Sequence, residues 1–220
     1  MTEPDFLRTA RVFYDAVATD YAEHFHAWLA SKPLDRALLA GFAELVRAGG
    51  VGPVADVGCG PGWVTAHLHG LGLTAFGVDL SSQMVEVARR AHPGLRFEVG
   101  SMMALDLPDG VLGGIVAMYS IIHIPQDRLP EVFAEFHRVL APGGHVLVVF
   151  QVGDESLHLT GAFGHAVSLD FHRRQPDRVA ELLSQAGLTL WARLLREPDD
   201  GGVEKTQQAY LLARKPAGTV

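Results

Sequence analysis

The clearest chemical signal in the chain is a run of small and acidic residues from Val54 to Trp63, Val-Ala-Asp-Val-Gly-Cys-Gly-Pro-Gly-Trp. Gly58, Gly60 and Gly62 let a backbone turn sharply and approach a ligand closely, and Asp56 stands inside the apolar stretch before them. A second apolar stretch, Thr74 to Val78, ends in Asp79. That lies about twenty residues beyond the first, the interval expected for a carboxylate that accepts hydrogen bonds from ribose hydroxyls. Together these are two halves of a nucleoside site. Proton chemistry, if any is needed, points to histidine, whose ordinary pKa near 6.5 suits proton removal at neutral pH. His123 is the first choice and His165 the second. His123 stands in Ile121-Ile-His-Ile-Pro125, so it equally fits a packed imidazole bonded to a backbone carbonyl.

The elements that must position these groups follow from periodicity. Val54, Ala55 and Val57 suit a parallel strand buried on both faces, and a helix from about Trp63 to His69 follows the glycine turn, its free N–H groups aimed over it. Residues from about Phe6 to Leu29 read as one helix or two with an aromatic face that includes Tyr14 and Tyr21. A further helix spans about Leu34 to Ala48, so N-terminal helices cover about 6–48. Ser81 or Ser82 caps the helix carrying Met84. Leu95 to Val99 alternates as a third strand and leads into Ser101 and Met102. Gly113 to Met118 forms a fourth, with Tyr119 to Ile124 at its carboxyl end, where open α/β sheets collect ligands. Asp127 is expected to cap the next helix, which Pro142-Gly143-Gly144 closes before a fifth strand, His145 to Phe150. From Gln151 to about Phe171 the apolar period fails, and a segment this long and irregular, about 154–171, reads as a lid over an acceptor. A helix beginning at Gln175 or Asp177, then strands Leu188 to Leu195 and Gln207 to Arg214 joined through Pro198 to Gly202, complete the chain, with a loose tail from Pro216.

The spacing Gly58-x-Gly60-x-Gly62, with Asp56 inside the strand, differs from the G-x-G-x-x-G of dinucleotide sites. It resembles the first motif of the class I S-adenosylmethionine-dependent methyltransferases. Asp79, Gly100-Ser101 and the ending Leu140 to Gly144 extend the resemblance from about Tyr14 to Arg214. It implies an α/β, Rossmann-like three-layer sandwich: a mostly parallel seven-stranded sheet with a C-terminal antiparallel strand, as one domain over 1–220. It also implies S-adenosylmethionine as cofactor, with S-adenosylhomocysteine as product. In such a site Asp56, Gly58, Gly60 and Gly62 hold the methionine part, and Leu80 and Met84 pack on adenine. Ser101 and Met102 meet the adenine edge, Tyr14 and Tyr21 close over the cofactor, and Tyr119 faces the reacting methyl. Plain helix packing is the other reading of Met84, and ordinary core that of the tyrosines.

Composition narrows the partners. The 220 residues are 48% hydrophobic with a formal net charge of -7, which disfavours an obligate nucleic-acid binder and favours a small-molecule acceptor, small or neutral. No membrane span is expected, and a monomer or homodimer suffices. A single cysteine, Cys59, forms no intramolecular disulfide and reads as a small packed residue; with no signal-peptide pattern, the cytoplasm is the expected location. No Asn/Asp-Pro-Pro-Tyr segment follows the fourth strand, which disfavours that route to nucleobase or protein-glutamine methylation. No carboxylate cluster suggests magnesium. His158, His165 and His172 are evenly spaced, but carbonyl or solvent contacts are expected rather than zinc, so no metal is assigned. Methyl transfer to an O-, N- or C-nucleophile is the leading reading. A cofactor-binding sensor or interaction subunit without catalysis is the alternative, and a nicotinamide oxidoreductase the third.

Overall fold

The computed structural model describes residues 3–199 and 204–217. Its main sheet contains β1 (Val54–Val57), β2 (Ala75–Asp79), β3 (Arg96–Val99), β4 (Leu112–Met118), β5 (Leu140–Gln151), β8 (Thr189–Arg196) and β9 (Gln208–Arg214), in the order β3-β2-β1-β4-β5-β9-β8. Pairing is parallel through β5, while β9 runs antiparallel to both β5 and β8. The chain order reverses between β1 and β4, and at such a switch point the loops part to leave a crevice at the strands' carboxyl ends. β1 and β4 are buried at every residue, as a central parallel sheet requires.

Strand side chains alternate between two helical layers. Val54, Ala75, Val116 and Val149 face α2 (Pro33–Gly49) and α3 (Trp63–Gly70), packing on Leu39, Phe42 and Leu68. Ala55, Phe76, Ile115 and Val148 face the layer of α5 (Leu129–Val139) and α6 (Pro176–Gln185), which supplies Phe133, Phe136 and Leu183. Cys59 packs with Val85, Ala88 and Phe97 beneath α4 (Ser82–Ala91), in the packing role its size suggests. Ser81 caps α4 by accepting from the Met84 amide. α1 (Asp5–Phe25) is tied to that same terminus, because Asp15 accepts from the Ser81 hydroxyl at 2.6 Å. Among the described residues, no helix is long and apolar enough to cross a membrane.

Three local expectations are corrected. Asp127 caps nothing: it lies in a 3-10 turn, Gln126–Arg128, and α5 begins with Leu129-Pro130, where the proline has no amide for a cap to receive. Pro142 to Gly144 belongs to β5 as a bulge. Between the pairs Leu112↔Leu140 and Gly114↔His145, β5 advances five residues while β4 advances two, and Lys215 stitches the excess down through the Gly143 amide and the Gly144 carbonyl. The segment after β5 is not irregular throughout. It forms an antiparallel ribbon of β6 (Leu157–Leu159) and β7 (Leu169–Phe171), with a tight turn at Ala162–His165 further along the tip. The expected connection through Pro198 to Gly202 lies partly outside the described residues, as does the end of the tail.

Candidate functional site

At the carboxyl end of β1 two backbone positions take the positive φ that glycine adopts most readily. Gly58 has φ +78°, and a Cβ there would sit 2.2 Å from the Cβ of Ser120, whose hydroxyl bonds the Val57 carbonyl. Gly60 has φ +50°, and a Cβ there would meet no atom within 4 Å, because it would project into open space. Gly62 differs from the other two. Its missing side chain makes room for Phe97 and Ala88, its amide closes the turn onto Cys59, and it does not line the cavity described below. Its expected ligand contact is therefore replaced by a packing role.

Asp79 bridges the two halves of the site. One carboxylate oxygen accepts from the Gly60 amide at 2.8 Å and the other from the Ser81 amide at 2.9 Å, leaving each a further lone pair. Burial raises its pKa, and those two amides pull the other way. Asp56 is enclosed one level below, 1% exposed, and accepts from the Thr65 hydroxyl at 2.6 Å. Burial pushes its pKa up to about 7, against the bonds from Thr65. The contact fastens α3 to β1.

Above the turn lies one cavity of about 950 Å³. Tyr14, Tyr21, Asp56, Gly58, Gly60, Asp79, Leu80, Met84, Ser101, Met102, Tyr119 and His123 all line it. Sequence reasoning missed other walls: Trp63, stacked on Tyr21 with ring centroids 6.1 Å apart, Trp28, set edge-on to Tyr119, and Phe163. Trp63 was readable as the residue ending the glycine run. Trp28 and Phe163 carry no local signal. Tyr119 presents its ring only, since its hydroxyl is enclosed. Ser101 also has local work, as its hydroxyl accepts from the Met103 amide at 3.2 Å.

His123 has both ring nitrogens engaged. Nδ1 lies 3.1 Å from the Asp170 carbonyl, which can only accept, so Nδ1 carries the proton and donates. Nε2 is then bare and accepts from the Tyr14 hydroxyl at 2.8 Å. Burial lowers the His123 pKa to about 4, leaving the ring neutral near pH 7. Its loop is held by Arg174, which donates to the carbonyls of Ile121 and Ile124 and to Gln126. His165 is elsewhere. It does not line the cavity but pairs with Asp20 of α1 at 2.9 Å on the outside of the ribbon, because the tight turn directs Phe163 inward in its place. The three evenly spaced histidines have separate partners: His158 takes Asp170, His165 takes Asp20 and His172 takes Ser156, carboxylates and a hydroxyl where carbonyl or solvent contacts were expected.

The doubly wound sheet inserts its final strand antiparallel beside β5, and its glycine turn faces the carboxylate that ends the second strand. Residues 54–144 match the family described as "Methyltransferase domain", in line with the resemblance to the class I S-adenosylmethionine-dependent methyltransferases. It is similar to the N-demethylindolmycin N-methyltransferase of Streptomyces griseus, 30% identical over 132 residues, covering 58% of this chain and 52% of that protein. It is 34% identical over 109 residues to the O-methyltransferase cnsE of Penicillium expansum, covering 46% of this chain and 38% of that one. The chain thus spans about half or less of the length of these curated relatives. Among solved structures, a complex of DhpI with SAH shares the fold at a TM-score of 0.71 and 24% identity, covering 98% of this chain and 99% of the other.

Proposed function

We propose that this chain binds S-adenosylmethionine over the glycine turn and transfers its methyl group to a small-molecule acceptor in the same cavity. The observation that carries the reading is the Asp79 carboxylate, held by the Gly60 and Ser81 amides beside the open space above Gly60. The donor set fits the cofactor. Asp79 has free lone pairs for ribose hydroxyls, Leu80, Met84 and Met102 offer an apolar slot for adenine, and Gly58 and Gly60 leave room for the methionine part. When bound, the cofactor supplies a methyl group activated by its sulfonium.

The chain's own residues orient the reactants and keep water out. Tyr21, Trp28, Trp63 and Tyr119 give the cavity aromatic walls, and the β6–β7 ribbon covers it with Leu157, Leu159 and Phe163 as a lid. His123 fixes the Tyr14 hydroxyl and leaves that oxygen's lone pairs free. Where the acceptor must lose a proton, the Tyr14 oxygen takes it while its own proton passes to Nε2 of His123. With that imidazole's pKa near 4, proximity and desolvation outweigh base catalysis. Calorimetry with S-adenosylmethionine and S-adenosylhomocysteine, followed by transfer of labelled methyl into metabolite extracts, tests the proposal. Binding of both with label transfer is expected. Binding without transfer to any extract supports the sensor alternative, and NADH binding without S-adenosylmethionine binding overturns both.

A further inference from the structure

At the carboxyl end of β5 three chain segments lie side by side. Gln151 pairs with Gln208 of β9, and on the other flank Val152 bridges to Arg174, whose amide donates to the Gln151 carbonyl at 3.0 Å. Side chains in extended segments alternate between faces, so this register puts Arg173, Gln151 and Gln208 on one face and Arg174 on the other. Arg174 points into the interior and is 2% exposed. Arg173, Gln151, Gln208 and Thr206 all line the cavity, with Lys205 at its exposed rim.

The charges along this wall are unequally matched. Among the described residues, each carboxylate lining the cavity already has donors: Asp56 has Thr65, Asp79 has two amides, Glu204 has Arg196 and Lys32, and Asp199 shares those same cations. Arg173 is half-buried, and among the described residues it makes no salt bridge or hydrogen bond; the same holds for Lys205. A guanidinium withdrawn from bulk water beside amide and hydroxyl groups is a receptor for a planar or tetrahedral oxyanion, which it engages with two parallel bonds. Because Gln208 donates to the Thr206 carbonyl at 2.7 Å, its side chain is already oriented within this wall.

We propose that the methyl acceptor is an organic anion whose carboxylate or phosphoryl group is held by Arg173, with Gln151 and Thr206 completing the subsite. The proposal rests on the reading of this cavity as a methyltransferase acceptor site. The anion-binding wall is built from the end of β5, the extended segment after β7 that carries Arg173, and the approach to β9, while the glycine turn and Asp79 belong to the ends of β1 and β2. The charged end of the acceptor is therefore anchored by elements separate from those that hold the cofactor.

The test uses the full chain saturated with S-adenosylhomocysteine, and titrates three probes that each carry a phenyl ring: phenylacetate, phenylphosphonate and the neutral phenylacetamide. At least one anion is expected to bind more than tenfold tighter than the amide, and Arg173→Gln is expected to abolish that preference, with Arg173→Lys restoring part of it. Preference for phenylacetate assigns a carboxylate acceptor, and preference for phenylphosphonate a phosphoryl one. Equal binding of anions and amide by the wild-type chain overturns the proposal, as does an anion preference that survives in Arg173→Gln. A loss of S-adenosylmethionine affinity in Arg173→Gln also overturns it, because Arg173 would then hold the cofactor's own carboxylate. If the wild-type chain binds neither S-adenosylmethionine nor S-adenosylhomocysteine, the underlying functional reading has failed, and the proposal falls with it.

Discussion

Replacing His123 with glutamine converts a buried titration into a measurable slope. In the folded chain burial holds the His123 pKa near 4, against 6.5 for the exposed ring. Between those values the unfolded chain binds the extra proton and the folded chain does not, so stability is complete above about pH 6.5 and is lost as pH falls toward 4. The difference of about 2.5 units corresponds to roughly 3 kcal/mol over the window. Asp56 contributes the opposite sign. Its folded pKa is raised to about 7 from 3.8, so its contribution declines as pH rises through that interval, and the net profile of the wild-type chain does not isolate either group. The difference between wild type and His123→Gln does. Urea denaturation followed by the fluorescence of Trp28, Trp63 and Trp191 at several pH values gives both free energies. Wild type is expected to be the more stable near neutrality, and the gap should shrink by roughly 3 kcal/mol as pH falls toward 4. A gap that stays constant with pH would mean that His123 is not held neutral by burial, and would remove the argument that its lone pair serves Tyr14.

Three further outcomes are expected. Gly60→Val places a side chain in the open space above the turn, so S-adenosylmethionine affinity should fall more than tenfold while the chain still folds, at a backbone strain of roughly 1 kcal/mol from the positive φ; unchanged affinity in calorimetry would make the turn structural only. Asp79→Asn keeps the shape but not the charge, and should weaken cofactor binding by about 1 to 3 kcal/mol while also lowering the melting temperature, since the Gly60 and Ser81 amides share its carboxylate. His165→Ala removes the exposed contact to Asp20 and should speed proteolytic cutting within the β6–β7 ribbon without changing cofactor affinity; equal cutting rates, or rates unaffected by S-adenosylhomocysteine plus acceptor, would remove the support for a mobile lid.

What could be read from the sequence was what the chain builds locally. The strand, glycine turn and helix around Asp56 to Trp63 form one continuous unit, and Asp79 ends the adjacent strand, so spacing alone conveyed their geometry. Ser81 as a cap is local in the same sense. The ribbon escaped detection because its strands are three residues each, and because Phe163 occupies a turn position with φ +51° where asparagine or glycine would have signalled a hairpin. That residue is held there by tertiary contacts: its ring lies against His24 and Phe25 of α1, with centroids at 5.4 and 6.2 Å. His123 shows the same dependence. Its local run Ile-Ile-His-Ile suggested a packed imidazole bonded to a carbonyl, and the Asp170 carbonyl is indeed its partner. What makes the ring part of the site is Tyr14, 109 residues away, a pairing that no period in either segment encodes. Arg173 and Arg174 carry the point furthest. Side by side in sequence and alike in type, they differ only in which face of an extended segment each occupies. That single alternation sends one to brace the His123 loop and leaves the other facing the cavity with no charge partner among the described residues. The register that decides between them is set by Gln151 at the end of β5 and by Val152 just beyond it, so the chemistry of the acceptor wall became legible only once the sheet was assembled.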